Sequence, residues 1–158
     1  MAKFEIFALD VGAGQLAISP VPGRFGTYAD DLAALAAWGA NLVVSLTSDA
    51  EMAQAGADRM ANDLAAKGIA WRPWTITDCG VPDPGADWAG LAADTGACLD
   101  KGQRVLVHCK GGCGRSGMVV LRLIIAHGES ADQALKKLRH IRPCAVETDA
   151  QMDWARQG

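Results

Sequence analysis

The chain has 158 residues, 50% of them hydrophobic, a formal net charge of −3 and a sequence pI near 5.5. That size is read as one domain over residues 1–158, able to bury a core without metals or disulfides. The mild acidity excludes a globally basic surface for nucleic acid or acidic membranes, and the apolar run from Met118 to Ala126, interrupted by Arg122, is too short to cross a bilayer.

In chain order, the pattern predicts a strand over 4–9, a turn over 10–14 and a strand over 15–19. Pro20 and Pro22 stiffen a loop that ends at Arg24. Thr27 is placed to cap a helix whose apolar stripe is Leu32, Leu35, Ala36 and Trp38, and Gly39 ends it. Residues 41–46 are apolar on consecutive positions, as in a parallel strand covered on both faces. The alanine-rich stretch 48–67 predicts one or two helices broken at Gly56, with Gly68 as C-cap. Pro73 places the strand over 69–74 at an edge or a strand end. Residues 75–85 are turn formers, a loop of the kind that carries function on a rigid scaffold. A helix over 88–99, a strand over 103–108 and a helix over 115–127 follow. Ser130 caps the next helix, which buries Ala134, Leu135, Leu138 and Ile141 and stops at Pro143, and a last helix spans 148–156. This alternation predicts an α/β fold with a mostly parallel central sheet flanked by helices. Ligands of such sheets bind beyond the carboxyl ends of the strands.

At one such end stands His108-Cys109-Lys110-Gly111-Gly112-Cys113-Gly114-Arg115-Ser116. The glycines open backbone conformations closed to other residues, so that successive N–H groups can converge on an anion. The following helix adds its positive end, and Arg115 offers a planar fork that matches two phosphate oxygens. The same field favours thiolate over thiol at Cys109, making it a nucleophile aimed at the phosphorus of a bound monoester. Substrate contacts are therefore expected from Lys110, Gly111, Gly112, Cys113, Gly114 and Arg115. A proton for the leaving group requires a carboxylic acid on a facing loop.

The string resembles the signature of cysteine-dependent protein tyrosine phosphatases, and the chain around it is similar to their compact dual-specificity branch, and more so to small kinase-associated-phosphatase-like proteins. Three further stretches carry the resemblance: Ser19 to Arg24, Trp74 to Pro82, and Ile141 to Gln151. The resemblance implies a phosphatase fold and hydrolysis of phosphate monoesters on protein through a cysteinyl-phosphate. The expected residues are phosphotyrosine and also phosphoserine or phosphothreonine. It implies Asp78 as the acid, with Asp83 as the alternative and Asp87 more simply a helix cap. Ser116 is implied to donate to the Cys109 sulfur, and His108 to order the loop rather than move the proton. Glu147, Thr148 and Gln151 match the family's C-terminal stretch, but a helix-start capping box explains Thr148 and Gln151 equally well, so they stay outside the catalytic set.

No cofactor is called for. The protein is expected to be cytoplasmic and monomeric, with no nucleic-acid partner and no membrane span, and the segment from Met1 to Asp10 is too short and acidic for a signal peptide. Cys79, Cys98, Cys109, Cys113 and Cys144 are odd in number and scattered, unlike a secreted disulfide framework. Cys113 is expected to be a packed or partly exposed small residue. The alternative is that it or Cys79 traps an oxidised Cys109. A zinc site from His108, Cys109 and Cys113 has poor spacing and no fourth ligand. Three other functions compete with a protein phosphatase. One is a phosphoinositide or small phosphate-ester phosphatase, suggested by Lys110. Another is a phosphate-binding pseudophosphatase or kinase partner, and the third is a rhodanese-type sulfur transferase.

Overall fold

The computed structural model describes residues 3–157. A five-stranded sheet in the order β1-β2-β5-β3-β4 is built from β1 (Phe7–Val11), β2 (Gly14–Ser19), β3 (Leu42–Ser45), β4 (Ala70–Pro73) and β5 (Arg104–His108). β1 runs antiparallel to β2, and the other neighbours are parallel. The helices are α1 (Tyr28–Trp38), α2 (Asp49–Gln54), α3 (Met60–Ala66), α4 (Trp88–Asp100), α5 (Gly114–Ala126), α6 (Ala131–Ile141) and α7 (Asp149–Ala155). The fold class is the expected α/β, and Pro73 closes an edge strand as its missing N–H requires.

Alternate residues of the central strands serve opposite cores. Leu16, Ile18, Val105 and Val107 pack with α4, α5, α6 and α7, whereas Ala17, Val43 and Leu106 pack with α1, α2 and α3. Burial on both faces is why these strands read as continuous apolar runs. Leu106 has no solvent exposure, and burying such a side chain contributes roughly 2 kcal/mol. The strand that ends at the signature is thus fixed from both sides.

The first strand begins three residues later than the sequence pattern suggests. Phe7 pairs with Ile18, and the next partners upstream would be Ser19 and then Pro20, which has no N–H to offer. The stretch 48–67 resolves into α2 and α3, with Gly56 at φ +76 between them. Thr27 sits at the N-cap of α1, but its side chain makes no capping bond. Asp87 caps α4 by accepting from Gly90 N at 2.9 Å, and Ser130 caps α6 by accepting from Gln133 N at 3.3 Å. Helix α7 is pinned to α5 by Arg122, whose guanidinium lies 4.4 Å from the Trp154 ring and 4.9 Å from the Trp88 ring. No helix among the described residues is long and apolar enough to cross a membrane.

Candidate active site

Strand β5 ends at His108, in register with Ser19 of β2 and Ser45 of β3. Cys109 is thereby delivered to the carboxyl edge of the central strand. It is 3% exposed, and its Sγ lies 3.1 Å from Ser116 Oγ in a hydrogen bond. The chain then bends sharply. Gly112 has φ +74, and a Cβ there would stand 2.8 Å from Pro20 N, so only glycine fits. Helix α5 starts at Gly114 with Cys113 as an N-cap that makes no side-chain capping bond, which leaves the first-turn N–H groups open toward an anion.

The carbonyls of this loop are held from outside. Cys109 O faces His108 Nδ1 at 3.3 Å. Lys110 O accepts from Val21 N at 3.1 Å. Gly111 O and Gly112 O accept from Arg142 Nη2 and Nε at 3.0 and 2.9 Å. Cys113 O accepts from Gly117 N and Val146 N at 2.9 and 3.1 Å. A carbonyl tied outward leaves the N–H of its peptide plane facing inward, which is the geometry of an anion nest.

His108 has no solvent exposure, and burial pushes its pKa down from 6.5 to about 4, so it is neutral at physiological pH. Trp71 Nε1 donates to Ser45 Oγ at 2.8 Å, and Ser45 Oγ lies 2.6 Å from His108 Nε2. With the Ser45 proton given to Nε2, the ring proton sits on Nδ1 and is donated to Cys109 O. His108 thus orders the loop.

Arg115 is 2% exposed. Its Nη1 donates to Glu51 Oε1 at 2.9 Å and to Ile76 O at 3.0 Å, and its Nη2 donates to Glu51 Oε2 at 2.7 Å. Burial works against charge on Arg115, but Glu51, Cys109 and Asp78 outweigh it and raise its pKa. The hydrogen bond from Arg115 in turn pulls the Glu51 carboxyl down from 4.5 to about 2. Asp78 Oδ1 forms the third side of this arrangement, 3.2 Å from Arg115 Nη2, with its side chain 61% exposed. Cys79 follows at φ +61, a conformation uncommon for any residue but glycine.

A cleft of about 410 Å³ brings Cys109, Arg115, Asp78, Lys110, Arg24 and Glu147 together, with Gly111 and Cys113 also on its wall. The predicted catalytic set of Cys109, Arg115, Asp78 and Ser116 therefore converges. Gly112 and Gly114 turn their α-carbons to the scaffold, toward Ser19–Pro20 and toward Glu147 and Gln151, and offer only backbone. Asp83 is exposed and does not line the cleft. Gln151, with no solvent exposure, forms the expected capping box with Thr148. It also donates from Nε2 to Gly80 O at 3.1 Å, tying α7 to the loop that bears Asp78.

Cys113 corrects the sequence reading. It is neither a free small residue nor a trap for Cys109, because its sulfur is bonded to Cys144 across 31 residues, with Cα atoms 5.2 Å apart. The chain leaves α6 at Ile141 and runs back along the outer side of the loop, which puts Cys144 opposite Cys113. This pairing also removes Cys113 from any zinc set. Free thiols are Cys79, Cys98 and Cys109. Sequence reasoning missed Glu51, Arg142 and Cys144. Only Glu51 left a signal, since Ser48 and Glu51 spell a capping box.

Fold and cleft together present a cysteine-headed, glycine-rich loop at the carboxyl edge of a mostly parallel sheet. Residues 93–157 match the family described as dual specificity phosphatase, catalytic domain. Cyclin-dependent kinase inhibitor 3 of Rattus norvegicus is 34% identical over 90 residues, a match that covers 55% of this chain and 42% of the rat protein. The chain thus spans less than half the length of that relative. The crystal structure of kinase associated phosphatase, with its catalytic-site cysteine substituted by serine, superposes with a TM-score of 0.87 at 21% identity, covering 99% of this chain and 94% of the other. The active form of Tk-PTP gives a TM-score of 0.67 at 28% identity, covering 91% and 90%. Residues 93–157 are thus similar in sequence to the dual specificity phosphatase catalytic domain, and the described chain has the same fold as kinase associated phosphatase.

Proposed function

We propose that the protein hydrolyses phosphate monoesters on protein side chains, phosphotyrosine and also phosphoserine or phosphothreonine, through a cysteinyl-phosphate. The observation that carries this reading is the meeting of four groups in one cleft. Cys109 Sγ lies on the floor, Ser116 Oγ is 3.1 Å from it, and Arg115 and Asp78 face each other at 3.2 Å.

The phosphoryl oxygens of the substrate take the loop N–H groups and the Arg115 fork. Because Nη2 already faces Asp78, an arriving phosphate displaces that carboxyl group from Arg115 and frees it to meet the leaving oxygen. Cys109 Sγ attacks phosphorus, the S–P bond forms as the P–O bond breaks, and Asp78 gives its proton to the departing alkoxide or phenoxide. The Asp78 carboxylate then takes a proton from water, whose oxygen attacks phosphorus. The S–P bond breaks, and Ser116 Oγ stabilises the returning thiolate by donating to it.

Lys110 and Arg24, both exposed on the cleft wall, favour a substrate with a further negative charge beside the phosphate. That makes a phosphoinositide the second reading, and a phosphopeptide and phosphoinositide panel separates the two. The primary test is hydrolysis of an aryl phosphate by wild type and Cys109→Ser. The expected loss is about 10⁴-fold or more, and unchanged turnover in Cys109→Ser sinks the mechanism.

A further inference from the structure

The segment 142–146 runs along the outer side of the phosphate loop and makes more contacts with it than a passing chain needs. Arg142 takes two consecutive loop carbonyls, Gly111 O and Gly112 O, and its guanidinium is itself steadied 4.3 Å from the Phe7 ring. Two residues on, Cys144 is covalently joined to Cys113, the residue at which the loop becomes a helix. Two residues further, Val146 N donates to Cys113 O at 3.1 Å. Arg139 ties the segment back by donating to Ala145 O at 3.0 Å and Val146 O at 3.1 Å. Val146, a β-branched residue, is held at φ +68. Such a backbone conformation persists only where its surroundings over-determine it. The segment is therefore a strap gripped at both ends, and its inner face sets which way the peptide planes of the loop point.

We propose that Arg142 and Cys144 are positioning residues for the phosphate cradle. From outside they fix the planes whose N–H groups receive the phosphate, and the cradle has its full oxyanion affinity only while the Cys113–Cys144 disulfide is closed. The inference rests on the phosphatase reading, since it concerns how well the same loop binds phosphate. Cys109 is not part of the disulfide, so the nucleophile stays reduced when the strap is closed. A dithiol reductant opens the strap by passing two electrons and two protons to the S–S bond, which yields the Cys113 and Cys144 thiols and leaves the reductant as a cyclic disulfide. The loop then keeps its glycine bend and its bond to Val21 but loses its covalent anchor, and with it the fixed placement of Arg142.

The test uses the full chain and inorganic tungstate as an unreactive oxyanion, with affinity read by calorimetry. Thiol titration of the unfolded, unreduced protein should count three thiols, Cys79, Cys98 and Cys109; a count of five overturns the proposal. Opening the disulfide with a dithiol should weaken tungstate binding about tenfold, the scale of one or two net hydrogen bonds. The paired variant Cys113→Ser/Cys144→Ser should show the same weakening without reductant and no response to it. Arg142→Met should weaken binding similarly, and Arg142→Lys should recover part of it while the disulfide stays closed. The thermal midpoint is recorded in parallel, because a disulfide that merely staples the fold lowers the midpoint and leaves the affinity of the folded protein unchanged. That outcome overturns the inference alone. Failure of the closed wild type to bind tungstate overturns the phosphatase reading and the inference with it.

Discussion

Residues 109–115 and residues 75–87 face each other across one cleft, yet they are held in different ways. In the first stretch every carbonyl from Cys109 to Cys113 has a partner outside the loop, Cys109 is 3% exposed, and a disulfide joins the loop to Cys144. In the second, Thr77, Asp78, Cys79 and Val81 are exposed. Its anchors are fewer: Thr75 Oγ1 donates to Thr47 O at 3.4 Å, Ile76 N donates to Leu46 O at 3.0 Å, Ile76 O and Asp78 face Arg115, and Gly80 O accepts from Gln151 at 3.1 Å. Under the proposed mechanism the contrast matches two chemical tasks. Binding a phosphate calls for donors fixed before the substrate arrives. Proton delivery calls for a carboxyl group that can leave Arg115 and follow the leaving oxygen.

The largest effect that sharpens this contrast is on the acid side. Asp78→Asn should slow hydrolysis of an ester with a poor leaving group by about 10²–10⁴-fold. The loss should shrink when the leaving group needs no proton, while tungstate affinity should not fall. A loss of equal size for all leaving groups would falsify Asp78 as the proton donor. On the loop side, Glu51→Gln should behave in the opposite way. It removes the charge that orients buried Arg115, so it should weaken tungstate binding about tenfold and cost on the order of 3 kcal/mol of stability at neutral pH. The Glu51 carboxyl lies at about 2 when folded against 4.5 when free, so its contribution is complete above pH 4.5 and fades as the pH falls toward 2. Wild type and Glu51→Gln should therefore converge in stability only in strong acid.

A third, smaller effect comes from His108. Its folded pKa of about 4 lies below the free value of 6.5, so the unfolded chain takes up a proton first as the pH falls. Stability is unaffected by this group above pH 6.5 and declines between 6.5 and 4, by on the order of 3 kcal/mol in total. Denaturant titrations across that window should show a shallower slope for His108→Asn than for wild type. An identical slope would mean that the buried ring is protonated as readily as a free one. The smallest effect is on the acid loop again: Cys79→Gly relieves the φ of +61 at an exposed position and should shift stability by no more than about 1 kcal/mol. A larger change would show that the Cys79 side chain, and not its backbone, holds that loop.

The fold and the placing of Cys109, Arg115 and Ser116 in one loop were legible in the sequence for a common reason. The continuous apolar runs of β3 and β5, the glycine-rich turn and the spacing from Cys109 to Arg115 are local patterns, and local geometry converts them directly into structure. Asp78 was singled out because its surrounding loop resembles a known one, and the structure places it 3.2 Å from Arg115. Glu51 was not, since its partner Arg115 lies 64 residues away and its own neighbourhood spells an ordinary helix start. Arg142 lies in the stretch from Ile141 to Gln151, and nothing nearby announces that it will donate to two carbonyls of residues 30 and 31 positions earlier. Cys113 and Cys144 were counted among scattered cysteines, because pairing depends on where α6 releases the chain. What escaped was the support behind the reacting groups, which depends on long-range packing.

The most direct measurement of the central claim is chemical trapping. Asp78→Asn protein is mixed rapidly with an aryl phosphate whose leaving group needs no proton, quenched in acid and digested, and the peptide containing Cys109 is weighed. The account predicts one phosphoryl group on Cys109, formed within the first turnover and absent from Cys109→Ser. Turnover of the ester with Cys109 unmodified, or with the phosphoryl group on another residue, would contradict it.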